Sequence, residues 1–124
     1  MSERRIKIQR SSGQLNEALV AYHARSGTGS GSLQFLALAK AFEILFEYVW
    51  KELKFKIEDE GLFANSPKET IRQAAKLGLI TEAEQWIDCA NARNDSVHDY
   101  FGIPEPRYVQ LVKQFADLVT RVNF

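Results

Sequence analysis

The sequence predicts an all-α fold, a four- to five-helix up-and-down bundle, on three observations. Apolar residues recur at helical spacing along most of the chain, as at Leu15, Ala18, Leu19 and Tyr22, which fall at i, i+3, i+4 and i+7. Helix-starting and helix-stopping residues punctuate that pattern at intervals of a helix length. Strand signals are absent: no run alternates apolar with polar, and no Asn-Gly or Asp-Gly turn occurs.

The first helix carries the Leu15/Ala18/Leu19/Tyr22 face and, before it, the densest basic cluster, Arg4, Arg5, Lys7 and Arg10. That cluster reads as a solvated helix face. Ser26-Gly-Thr-Gly-Ser-Gly-Ser32 follows as a flexible connection. A long helix then spans roughly Leu33 to Ile57, with Leu38, Phe42, Leu45, Val49 and Leu53 in one stripe and Phe35, Leu36, Phe46 and Trp50 spreading apolar surface to other sides. Lys40, Glu43, Glu47, Lys51 and Lys54 leave only a narrow polar strip, in which Glu47 and Lys51 are ordered for an i,i+4 ion pair. A helix so apolar around its circumference calls for burial on several sides, and in a domain of few helices this predicts a homodimer.

Ser66-Pro-Lys-Glu69 reads as a capping box with proline at the first helical position, and Gly78 suits the C-terminal cap of the helix it opens. Thr81-Glu-Ala-Glu84 reads as a second box, opening a helix that runs to about residue 100. Gly102, Pro104 and Pro106 break the chain, and a last helix spans about Glu105 to Val122 with Val109, Val112, Ala116 and Val119 in line.

Bulk properties bound the function. At 124 residues the chain is long enough for one domain, residues 1–124, with a core that needs neither metal nor disulfide. Sixteen basic residues balance sixteen acidic ones, so no global field draws it onto nucleic acid and such binding requires a local patch. One cysteine and an N-terminus without an apolar core predict a cytoplasmic protein with no disulfide and no secretory signal. Lys40, Glu43 and Glu47 interrupt the longest apolar stretch and argue against a membrane span. Paired-His, HExxH and CxxC spacings are missing, and no strand precedes a glycine-rich loop, so neither a metal nor a nucleotide cofactor is expected. Cys89 reads as structural.

The chemistry concentrates in RNDSVHDY, residues 93 to 100. On a helix, Arg93 shares a stripe with Trp86, Ala90 and Val97, whereas Asp88, Ala92, Asp95 and Asp99 form another, expected to be exposed. A guanidinium beside apolar surface needs an anion or several acceptors. It either pairs with a carboxylate such as Asp95 or Glu47, or meets a ligand. Asn94 lies at i,i+4 from His98 and is placed to orient its imidazole. His98 is about 140° around the helix from Arg93, so the two converge only at a helix end or across a two-fold axis. A histidine there also fits a capping role beside the helix dipole. As chemistry, a near-neutral proton carrier with a phosphate-binding cation suits RNA cleavage by its own 2′-hydroxyl.

Arg93, four intervening residues, His98, one residue and Tyr100 form the RX4HXY signature of HEPN domains. The sequence resembles in particular the HEPN proteins that accompany minimal nucleotidyltransferases as substrate-binding subunits. Phe46-Glu-Tyr-Val-Trp-Lys-Glu-Leu53, Ser66-Pro-Lys-Glu-Thr-Ile-Arg72, Leu77-Gly-Leu-Ile80 and Trp86 with Ala92-Arg-Asn94 carry the likeness from about Phe35 to Tyr100. The resemblance implies a dimeric helical bundle with a metal-independent endoribonuclease site. Arg93 and His98 would be its catalytic pair, with Asn94, Glu47 and Tyr100 in support. It further implies the toxin of a toxin–antitoxin pair, restrained by a nucleotidyltransferase that in some relatives transfers AMP to the motif tyrosine, here Tyr100. The alternative it carries is a non-catalytic nucleotide- or substrate-binding subunit of a two-component nucleotidyltransferase. Val97 and Asp99 depart from the Ser or Thr that relatives often carry beside the histidine.

Overall fold

The computed structural model describes residues 2–25, 31–98 and 103–124. Among these residues the protein is five helices and no strand: α1 (Glu3–Arg25), α2 (Gly31–Asp59), α3 (Pro67–Lys76), α4 (Ala83–His98) and α5 (Glu105–Thr120). Chain neighbours pack on one another in order, and α5 returns against α1 and α2. The expected all-α bundle is thus the observed one.

The central helix is α2, which touches all four others. Leu38, Phe42, Leu45, Val49 and Leu53 are fully buried along it, as the stripe predicted, and so is Phe46. Its apolar circumference is therefore largely covered within one chain, because five helices suffice to surround it. Only Leu33, Leu36, Tyr48 and Phe55 remain as large exposed apolar side chains on α2. Leu36, expected to help pack, is 51% exposed.

An aromatic cluster forms the middle of the core. Phe42 and Phe115 meet edge to face at 5.4 Å, Trp86 meets Phe115 at 5.6 Å, and Phe35 and Phe42 contact Tyr108 at 5.3 and 5.8 Å. Each such pair adds about 0.5–1.5 kcal/mol beyond the area it buries. These contacts pin α2, α4 and α5 in register.

Helix ends follow their local chemistry with three corrections. Helix α2 runs two residues past its expected end, until Gly61 at φ 83° lets Leu62 N–H reach the Ile57 carbonyl at 2.9 Å. Ser66 caps α3 by accepting from the Glu69 N–H at 3.2 Å, and Gly78 at φ 75° ends it with Leu79 N–H on the Ala74 carbonyl. The box expected at Thr81 is displaced. Glu82, at φ 60°, precedes the first helical residue Ala83, so the turn starts one residue later than Thr81 could cap. Glu82 instead lends its carboxylate to Arg121 of the α5 end at 2.7 Å. Helix α5 also stops at Thr120, two residues short of the expected Val122.

No described helix is long and apolar enough to cross a membrane.

Candidate functional site

The site grows from one carboxylate on α2. Glu47 lies on the polar strip of that helix, one residue beyond the buried Phe46, so its backbone is held by the core while its side chain reaches the edge. Its Oε1 meets Lys51 Nζ at 3.1 Å, the pair that the i,i+4 order predicted. Its Oε2 accepts the Trp50 indole N–H at 3.1 Å and the Arg93 Nη2–H at 3.0 Å. Three donors from two helices therefore converge on one carboxylate.

Burial by itself would raise the Glu47 carboxyl, but the Trp50 indole, Lys51 and Arg93 outweigh it and hold the group below its ordinary value. It stays ionised at neutral pH, and the trio Glu47, Lys51 and Arg93 keeps one net positive charge.

Arg93 reaches this point because α4 presents it between core and solvent. Trp86, Cys89, Ala90 and Ala92 are the buried residues by which α4 packs among α2, α3 and α5, and the Arg93 side chain is left 27% exposed. The stem rises beside the core, and the guanidinium carbon sits 6.0 Å from the Phe46 ring centroid. Arg93 Nη1 is 3.4 Å from the Asn94 side-chain oxygen. A half-buried, always-charged planar donor with a fixed head group is suited to an oxyanion such as phosphate.

Of the residues singled out in the sequence, the structure brings Arg93, Glu47 and Asn94 together. His98 is the last residue of α4; its side chain, those of Asp95 and Val97, and Asp99 and Tyr100 as a whole, lie outside the described residues. Of the two carboxylates considered for Arg93, Glu47 meets it at 3.0 Å, while the Asp95 side chain lies outside the described residues. Trp50 and Lys51 belong to the same network, and the i,i+3 and i,i+4 spacings from Glu47 were the signals for both.

One expectation about α4 is corrected. Helical spacing predicts Ala92 and Asp88 on one exposed stripe; Asp88 is exposed, but Ala92 is completely buried. Residues flanking α5 and α5 itself supply the cover, since Ala92 lines the same recess as Ile103 and Leu111. The short side chain is what allows that close packing.

Cys89 is buried and its thiol lies 3.6 Å from the Leu111 carbonyl oxygen as a weak donor. Burial, with the charge of Asp88, pushes that thiol up to about 12, which removes any nucleophilic thiolate at neutral pH. Among the described residues no group of three or more His, Cys, Asp and Glu is arranged to hold a metal ion.

No curated protein matches this chain. A family model does, across residues 4–123 and therefore across all five helices and the Arg93 network. The protein belongs to the family described as nucleotidyltransferase substrate binding protein like, the family that the residues around RNDSVHDY resemble.

Proposed function

We propose that this protein works beside a minimal nucleotidyltransferase as a metal-independent endoribonuclease. Arg93 and His98 act on the RNA phosphate. The observation that carries this reading is the Arg93 network: a half-buried guanidinium, fixed by Glu47, in a cluster with one net positive charge, five residues before a histidine at a helix end. His98 takes the proton from the RNA 2′-hydroxyl as that oxygen attacks the adjacent phosphorus. The bond to the 5′-oxygen breaks and that oxygen takes up a proton from water, leaving a 2′,3′-cyclic phosphate and a 5′-hydroxyl end. Arg93 neutralises the charge that gathers on the non-bridging oxygens. Glu47 orients Arg93 without cancelling it, because Lys51 shares the carboxylate.

The active form in this reading is a homodimer that brings two copies of the motif to one groove. Leu33 and Leu36, 67% and 51% exposed near the start of α2, are apolar surface for the second copy to cover. The nucleotidyltransferase named in the family description is the partner. Its AMP transfer to Tyr100 would add bulk and negative charge next to His98 and shut the site.

A second reading is favoured by one feature: Arg93 already meets an anion within its own chain. In that reading the protein is a non-catalytic subunit that presents a nucleotide or other substrate to the nucleotidyltransferase, and the overall neutral charge agrees with it.

The deciding experiment is RNA cleavage in excess EDTA by purified wild type beside His98→Ala, each without its partner. Cyclic-phosphate ends from the wild type and none from the variant establish the ribonuclease. Absence of cleavage by unmodified wild-type dimers transfers the assignment to the binding subunit.

A further inference from the structure

Resting on the ribonuclease reading, we infer that an aromatic and basic row on α1 and α2 is the track on which single-stranded RNA approaches Arg93. Tyr48, Lys51 and Phe55 fall at i, i+3 and i+7 along one face of α2. Tyr48 is 36% exposed and Phe55 50%. Helix α1 runs antiparallel beside them and adds two cations. The Arg4 guanidinium carbon lies 3.8 Å from the Phe55 ring centroid, and Lys7 Nζ lies 5.8 Å from that of Tyr48.

The two ends of the α1/α2 pair differ in what they expose. The large apolar side chains exposed at one end are aliphatic, Val20, Leu33 and Leu36, and offer no ring for a base to stack on. At the other end they are the aromatic Tyr48 and Phe55, each with a cation against its ring. Rings interleaved with cations suit unpaired bases and their phosphates, since every base offers a π-face and stacking needs no particular sequence.

Charge at this end agrees. Arg4, Lys7 and Lys51 are 48%, 48% and 59% exposed, whereas Glu52, the partner of Arg4, is only 5% exposed. Lys51 shares Glu47 with Arg93, and Lys7 faces Glu3 at a loose 3.7 Å. The exposed Lys7–Glu3 pair holds its cation weakly and releases it to a phosphate at small cost, whereas Arg4 stays anchored on the buried Glu52 and Lys51 on Glu47. The row also has a direction, because Tyr48 adjoins Glu47 and Lys51 bonds to it, so the track runs into the Arg93 network. The cluster Arg4, Arg5, Lys7 and Arg10, a solvated face by sequence alone, thereby gains a local role for two of its members.

Binding of a short fluorescein-labelled single-stranded RNA, read by anisotropy on His98→Ala protein, tests this without cleavage. Adding Tyr48→Ala and Phe55→Ala together weakens binding by about tenfold or more, with helix content and oligomeric state unchanged. Tyr48→Phe, which keeps the ring, retains binding, and Lys7→Ala lowers the salt slope of log K by about 0.7. If His98→Ala binds RNA and the double alanine variant binds it equally, the track is wrong while the Arg93/His98 reading stands. If RNA neither binds nor is cleaved by the wild type, both fall. Should the double variant instead lose its second copy or its nucleotidyltransferase, the face is a protein interface and the inference is overturned.

Discussion

Two arginine clusters associated with α4 have opposite designs. Near the end of the helix, Arg93 and Lys51 share the single carboxylate of Glu47, which leaves a net positive charge. Just before the helix begins, Glu82 and, from α5, Asp117 share the single guanidinium of Arg121, which leaves a net negative charge. The first stands over the aromatic core with side chains 27% and 34% exposed at the Arg93–Glu47 bridge. The second is out in water, with its three side chains 41–61% exposed. Both look alike as ion pairs, yet only the first combines a fixed head group, reduced solvent screening and a surplus cation. The proposed function sets its anionic substrate at that end of α4, while the Arg121 cluster ties α5 to the start of α4.

The contrast breaks hardest at its foundation. Phe46→Ala removes a fully buried ring from beneath Arg93 and costs about 3–5 kcal/mol, measured by chemical denaturation, with the guanidinium losing its support. A loss below about 1 kcal/mol would mean that the core does not hold the site.

Glu47→Gln is the sharper probe and costs about 1–2 kcal/mol at neutral pH, since the pair is partly screened. The Glu47 carboxyl is lower in the folded protein than its ordinary value of 4.5, so its charge contributes stability in full above that pH. That contribution disappears as pH falls from 4.5 through the lowered folded value. The difference in unfolding free energy between wild type and Glu47→Gln should therefore shrink below pH 4.5 and stay constant from there to neutrality. A difference that grew on acidification would contradict the network.

Arg121→Ala gives the smallest effect, below about 1 kcal/mol and largely erased by high salt, as exposed pairs are. If it matched Glu47→Gln in size and salt resistance, the two clusters would be equivalent and exposure would not separate them.

Much of this was legible from residues alone, for reasons that differ by element. The stripe Leu38/Phe42/Leu45/Val49/Leu53 is buried as expected because helical periodicity is a property of the chain, whatever packs on it. Ser66 and Gly78 end α3 where they should, since caps are made by a few neighbouring residues. The Thr81 box slipped by one residue: Glu82 takes a positive φ before Ala83 and its carboxylate meets the distant Arg121, which no local rule contains. The burial of Ala92 is of the same kind: which side of α4 is covered by α5 is settled by helix packing, not by the period of α4 itself.

For the site, spacing along single helices identified Glu47 with Lys51; it set Asn94 beside His98, and the structure shows its side chain 3.4 Å from Arg93. It could name Glu47 only as one of two carboxylates for Arg93, because residues 46 positions apart in the chain meet through packing. The sequence by itself determined the class of fold, its helical periods, the caps of α3 and its family, all of which are written in short-range patterns of residue type. Tertiary structure alone decided that Glu47 is the anion shared by Arg93, Lys51 and Trp50, and that α1 brings its cations to the exposed rings of α2. The physical reason is that electrostatic partners across helices are chosen by how the aromatic core sets helix register, and register is a collective outcome of packing.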